Sequence, residues 1–455
     1  MAQRLIVVGN PGNKRTALLQ QARLKLGLPE AIVISYLDCL TVEQEPAKLA
    51  RILFSCCDEA GRLPMIRLDS PGENFEVEIE LIALGAEDAS EADGKSDTVQ
   101  TSDIAEAAKA TQSTVAAGCV SPALAFATDA ARYQRQAHSG DAYHPLLHLS
   151  SAASISAEQA RSLLPEQGRI YEPAQWFRGW CRLLQRIKQQ AEAVDPFVRW
   201  MNDPAEIALM FDKRRCHQLL SAHSVPVPPL PSVIGSIRSY EQLRDAMHAK
   251  RMHRVFIKLA YGSSASGIIA YQVHPSTGAE KATTTIGIER RGNEWIYYNA
   301  GALRTYTQGE PIQQIINWLC AQGVHIERWM EKAGAGSRAF DIRQLVVGER
   351  ACHRIARLSH TPITNLHLRN ERADPASLGL SDEVLSAVGQ AAEATMGLFK
   401  SSFVAGIDIL LARGSHQPYV ADINPFGDLL YEVEFNGYNT YKWEMACVHK
   451  AVGDA

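Results

Sequence analysis

The run FVAGIDILLARGSHQPYVADINPFGD, residues 403–428, constrains this chain more than any other stretch. It reads as two strands, 403–411 and 418–423, joined by a turn at Arg413, Gly414 and Ser415. Acids inside runs as apolar as GIDILL and YVADIN are costly unless something pairs with them. In a hairpin Asp408 and Asp422 face each other across the strands, and Asn424 shares the face of Asp422. Two carboxylates and an amide, without thiol or imidazole, form a ligand set for a hard cation, Mg²⁺ or Mn²⁺, shared with a phosphate. The alternative is a surface hairpin carrying two solvated acids.

A second informative stretch is RVFIKLAYGSSASGIIAYQ, residues 254–272. Two strand-like runs flank the loop YGSSASG, whose small residues let backbone N–H groups approach an anion closely. Lys258 lies inside the entering strand, where an unpaired ammonium is costly, so it is expected to point at a charged partner. An ordinary glycine hairpin with an exposed lysine is the bland reading. Residues 324–359 read as a strand, a Gly/Ala loop and a hairpin turning at Gly348 that carries Asp341, Arg343 and Arg357 into an apolar sheet, and 362–374 reads as a loop holding Asn365.

The opening alternates strand 4–8, a Gly/Pro turn, helix 14–26 and strand 31–35, a β-α-β unit. Its turn, GNPGNKRT, lacks the third glycine of GxGxxG and does not place Lys14 in GxxxxGK[ST], so the glycines are read as making the turn alone. Residues 87–118 are rich in Ala, Ser, Thr, Asp and Lys without an aromatic and read as a surface insertion. An amphipathic packing helix is expected within 170–198. After the start signal Asn202-Asp203-Pro204, one helix is expected to carry Asp212 and Lys213 as far as Ser221. The cluster Lys213, Arg214 and Arg215 by itself is more simply a solvated face. A helix over 382–400 leads into the acid-bearing hairpin.

With 455 residues, about three domains are expected. A net charge of −4 gives no argument for nucleic acid or an anionic membrane as partner. Nine scattered cysteines, with no CxxC and no zinc spacing, suit a reducing cytoplasm. The N-terminal run LIVV is too short for a signal peptide, and no window is long enough to cross a bilayer.

The order of these features over 202–432 resembles the ATP-grasp superfamily, nearest its ribosomal-protein glutamate ligase and glutathione synthetase branch. The resemblance implies an α/β and α+β fold: an N-terminal β-α-β domain (1–150), a helical linker (151–201), and two α+β subdomains (202–323 and 324–455). It implies that Lys213 and Lys258 contact ATP phosphates under a flexible loop containing Gly262, Ser263, Ser264 and Gly267. Glu327 becomes the acid of an adenine-reading hinge, Glu331 a ribose partner, and Asp341 and Asn365 nucleotide contacts. Arg343 and Arg357 fall near the transferred phosphate and acyl oxygen, while Asp408, Asp422 and Asn424 match magnesium ligands. The implied activity is ATP-dependent carboxylate–amine ligation through an acylphosphate, on small-molecule or peptide substrates. A nucleotide-binding regulatory or scaffolding protein and a phosphotransferase are the alternatives. Two positions depart from the pattern: Asp422 stands where glutamate is usual, and Ile363-Thr364-Asn365 where Arg-Ser-Asn is common.

Overall fold

The computed structural model describes residues 4–40, 48–86, 155–262, 266–364, 370–428 and 430–453. The expected insertion at 87–118, together with Ser263, Ser264 and Asn365, lies outside the described residues. Strand β1 (Leu5–Gly9) is buried along its whole length. It is the centre of a parallel sheet, β2-β1-β3, with β2 (Ile32–Ser35) and β3 (Met65–Leu68) on its flanks. A continuous apolar run is what a parallel strand covered on both faces requires. The helix Lys14–Lys25 starts where the Asn13 side chain accepts the Arg15 backbone N–H.

Two helices, Phe75–Ala86 and Pro173–Val194, cross in backbone contact over this sheet. A Cβ added at Gly85 would sit 1.9 Å from Gln175 O, and one added at Gly179 would sit 1.8 Å from Leu81 O. The longer helix buries Phe177, Trp180, Leu184 and Ile187 in one core with Ile6, Val8 and Ile66. It therefore packs as its apolar periodicity predicts, and the segment expected as a linker contributes to the first core.

An antiparallel sheet follows, in the order β7-β6-β5-β4-β8. Its strands are β4 (Arg254–Leu259), β5 (Ile268–Val273), β6 (Glu280–Arg291), β7 (Glu294–Tyr306) and β8 (Val324–Arg328). The helices Tyr240–Ala249 and Gly309–Gln322 bury Leu243, Ile315 and Leu319 with Ile257 and Tyr271 of this sheet. The last sheet comprises β9 (Gly334–Ala335), β10 (Arg338–Val347), β11 (Arg350–Ser359), β12 (Glu371–Ala373), β13 (Val404–Leu411) and β14 (Pro418–Asn424). It is ordered β12-β11-β10-β13-β14, with β9 beside β10. The helix Asp382–Met396 packs Val388, Ala392 and Met396 with Ile342, Ala356 and Ile407 of this sheet. A β-α-β domain followed by two α+β subdomains is the expected layout, and the chain has it.

Two helix expectations are corrected. The helix expected to run through Asp212 is two helices, Pro204–Phe211 and Lys213–Ala222. Asp212 between them is extended (φ −89°, ψ 98°) and its side chain caps the second by accepting the Arg214 N–H. An aspartate competes for backbone donors and so favours such a start over a helix interior. The helix expected over 382–400 ends at Met396, capped at Gly397.

Candidate active site

The β13–β14 register places Asp408 opposite Asp422 and Gly406 opposite Asn424. A bulge follows, so that Asp408 pairs with Asp422 but Ile409 with Val420. The intervening Ala421 turns its carbonyl toward the Lys258 ammonium (3.3 Å). Asp408 Oδ1 lies 2.9 Å from Arg343 Nε and 3.1 Å from Arg357 Nη2. Neither guanidinium meets it at a hydrogen-bonding angle, so this buried oxygen is attracted electrostatically but has no hydrogen bond. Burial pushes the Asp408 carboxyl up, and Arg343 and Arg357 only partly oppose it. Asp422 Oδ2 lies 3.1 Å from Lys213 Nζ, and Asn424 Nδ2 donates to Gly406 O at 3.3 Å.

This donor set fits a hard cation. An orphaned carboxylate oxygen beside a second carboxylate and an amide is chemically what Mg²⁺ accepts. Among the described residues no cluster of three or more His, Cys, Asp or Glu could hold a metal by itself. Asp408, Asp422 and Asn424 would therefore hold such an ion only together with further ligands that they do not supply.

The two lysines come from different elements, a helix start and a strand. Lys213, the first residue after the Asp212 break, is anchored by its backbone N–H to Ala260 O (3.0 Å) and donates its ammonium to Gly262 O (2.7 Å). Lys258 on β4 is buried, its ammonium 2.6 Å from Glu327 Oε1. Burial draws the Lys258 pKa down, but Glu327 and Asp422 outweigh it and the net shift is upward. Glu327 is depressed to about 2: burial opposes its charge, and Lys258 and the His325 hydrogen bond overcome that. His325 Nε2 lies 3.1 Å from Glu327 Oε2, which assigns the proton to that nitrogen. Lys258 thus has the charged partner that its place in an apolar strand demanded.

Arg357 grips Asp341 with two hydrogen bonds of 2.7 and 2.9 Å, both residues buried. Asp341 is held below its ordinary range because Arg357 and Lys332 outweigh the opposing effect of burial. Arg343 reaches Asp408 and also Asp428 Oδ2 at 3.1 Å. Gly267 needs its glycine: φ is +68° and an added Cβ would lie 2.3 Å from Leu259 Cδ1.

A single cleft of about 290 Å³ joins these groups. Of the residues singled out in the sequence, Lys213, Lys258, Gly262, Glu327, Asp341, Arg343, Arg357, Asp408, Asp422 and Asn424 line it. Glu331 does not; it is exposed and pairs with Arg254 at 2.6 Å and Arg413 at 3.9 Å. Lys332, which no sequence pattern singles out, has a side chain 7 % exposed that donates to Thr364 Oγ1 (2.6 Å) and Pro362 O (3.1 Å). Asp428 and Arg15, likewise without a sequence signal, are also in the cleft wall. Ile363, at a position of departure from the family pattern, is buried against Phe256 and Ala270.

No family model matches the chain, and no curated protein matches it. Some solved structures are similar to it at low identity. D-cycloserine synthetase DcsG is 12% identical, with 98% of this chain and 99% of that chain covered at a TM-score of 0.46. The ATP-grasp ligase PsnB, complexed with a phosphomimetic variant of minimal precursor, Mg and ADP, is 13% identical over 99% of each chain at a TM-score of 0.42. The D-alanine-D-alanine ligase from Coxiella burnetii is 12% identical, covering 59% of this chain and 60% of that one at a TM-score of 0.34. Among the described residues no helix is long and apolar enough to cross a membrane.

Proposed function

We propose that this chain is an ATP- and magnesium-dependent carboxylate–amine ligase of the ATP-grasp type. One observation carries the reading: in one cleft, each acid suited to a cation holds a cation suited to phosphate. Asp422 pairs with Lys213, and Asp408 stands beside Arg343 and Arg357. A nucleotide phosphate and a metal bound there would take over these partners, the phosphate the cations and the metal the acids. A magnesium ion there would screen the phosphates from an approaching carboxylate.

The residues then divide the work. Lys213 and Lys258 neutralise phosphate oxygens, and Arg343 meets the charge that builds as the γ-phosphoryl passes to the substrate carboxylate. ADP leaves and an acylphosphate forms; the amine attacks its carbonyl carbon, the C–O bond breaks, and phosphate departs. Gly262, whose carbonyl takes the Lys213 ammonium, and Ser266 line the cleft and would help to keep water from the acylphosphate. The second reading, nucleotide binding without ligation, is favoured by Ile363, which is absorbed into an apolar cluster where the family pattern has arginine.

Incubation with ATP, Mg²⁺ and pooled metabolite acids and amines separates these readings. Ligation yields ADP and a condensed product by mass spectrometry. Binding without turnover supports the second reading, and ADP with a stable phosphorylated product points to a phosphotransferase.

A further inference from the structure

Lys213 is held by the short segment Ala260-Tyr261-Gly262 that follows β4. Its backbone N–H donates to Ala260 O (3.0 Å) and its ammonium to Gly262 O (2.7 Å), so one residue grips the carbonyls on either side of Tyr261. The next residue completes the clasp, for Arg214 Nη2 donates to the Tyr261 hydroxyl. Asp212 steadies Arg214 in turn, accepting from its Nε (3.1 Å), its Nη2 (3.2 Å) and its backbone N–H (3.0 Å). An ammonium has three N–H donors and Gly262 takes one, so donors remain for a phosphate.

The chain changes cores at this point. Leu259 is buried with the middle sheet, whereas Ala260 and Tyr261 are buried in the first core with Phe177 and Trp180. The Tyr261 ring stacks on Phe177, centroids 4.0 Å apart and planes 12° from parallel. Phe177 belongs to the helix Pro173–Val194 and also stacks, at 6.1 Å, on Phe211, the residue before Asp212. One ring of the N-terminal helix thus touches both the start of the Asp212 break and the segment that Lys213 and Arg214 clasp. Neither Phe177 nor Tyr261 lines the cleft. A lysine stem is flexible and loses much freedom when fixed, so what fixes its partners decides where the charge sits.

We infer that Tyr261 is a positioning residue: stacked on Phe177 and clasped by Arg214, it sets the Ala260 and Gly262 carbonyls that hold the Lys213 ammonium at the phosphate site. The inference rests on the nucleotide-binding part of the ligase reading and extends it. The first domain then governs a phosphate contact through two aromatic rings outside the cleft. A stack that only stabilised the fold would lower the melting temperature and leave nucleotide affinity independent of Lys213.

The test is a double-mutant cycle on the full chain, read by calorimetric titration of a non-hydrolysable ATP analogue with Mg²⁺. Lys213→Met is expected to weaken analogue binding by about 10-fold or more. Tyr261→Leu, which removes both ring and hydroxyl, should weaken it by about 5-fold or more. Tyr261→Phe, which keeps the stack but opens the Arg214 clasp, should fall between Tyr261→Leu and the wild type. With Lys213→Met already present, either change at Tyr261 should add no more than about 2-fold, because the contact it positions is gone. Should Tyr261→Leu not fold, the same cycle on the nearly isosteric Tyr261→Phe decides. Wild-type affinity in the folded Tyr261 variants, or the same loss with and without Lys213, overturns the inference. Undiminished binding by Lys213→Met overturns it as well. Failure of the wild type to bind the analogue brings down the ligase reading itself, and the inference with it.

Discussion

Arg343 and Arg357 share one acid, Asp408, and are held differently. Arg357 is locked two-fold onto buried Asp341, while Arg343 bridges Asp408 and Asp428 at the edge of the cleft. Arg343→Met is expected to leave ATP affinity within a few-fold and lower turnover by about 10²–10³. Arg357→Met strands a buried carboxylate, so it is expected to cost about 3–5 kcal/mol of stability and lower the melting temperature. Affinity, melting temperature and turnover on the same preparations separate the two; equal behaviour of both variants contradicts the distinction. Glu327 supplies a pH signature. Its pKa is depressed to about 2 from an ordinary 4.5, so its contribution is complete above the unfolded value and lost as pH falls through the folded one. That contribution is about 3 kcal/mol near neutrality. The stability difference between wild type and Glu327→Gln, followed by urea unfolding, should shrink to roughly half by about pH 3. A difference constant from neutrality to that pH would show that the Lys258–Glu327 pair does not hold the shift. Asp408, Asp422 and Lys258 could be read from the sequence because a charge inside an apolar strand demands a partner. Arg15, Lys332 and Asp428 could not: Arg15 opens a helix whose polar face shows no such demand, Lys332 and Asp428 lie outside the long strands, and only the tertiary fold brings them to the cleft.

At the scale of elements, periodicity identified the strands that carry the site, and local chemistry decided what periodicity could not. NDPAEIALMFDKRRCHQLLSA has an unbroken helical rhythm, yet Asp212 breaks it and so aims Lys213 at Gly262. The bulge at Asp408 is similarly invisible in an alternating pattern, although it presents Ala421 O to Lys258. Glycines in a helical pattern also hid the tightest contact of the first core. Gly179 meets the Leu81 carbonyl with no room for a methyl, and both neighbours are backbone. Gly179→Ala is therefore expected to destabilise by about 3 kcal/mol or more, despite alanine's higher helix propensity. Chemical denaturation measures it; a neutral or stabilising effect would mean that the two helices do not cross at these glycines.

Across the whole molecule, the cleft depends on all three sheets. The last sheet brings the acids, the middle sheet Lys258 with Gly262 and Ser266 beyond it, and the N-terminal domain Arg15 and Ser70. A buried Arg67–Glu444 pair (2.8 Å) ties the first domain to the C-terminal helix Thr440–Gly453. Arg67 and Arg15 both donate to Phe426 O, two residues before Asp428. The N-terminal domain thus holds the loop that ends the site, a long-range dependence that no window of sequence contains. Asp408, Asp422 and Asn424 are proposed to bind a metal together with the nucleotide's phosphates. Calorimetric titration of an ATP analogue with and without Mg²⁺, into wild type and Asp408→Asn, tests it most directly. Mg²⁺ should tighten analogue binding to the wild type by about 10-fold or more, and that gain should vanish in a folded Asp408→Asn protein. The same magnesium-dependent gain in both proteins would contradict the assignment.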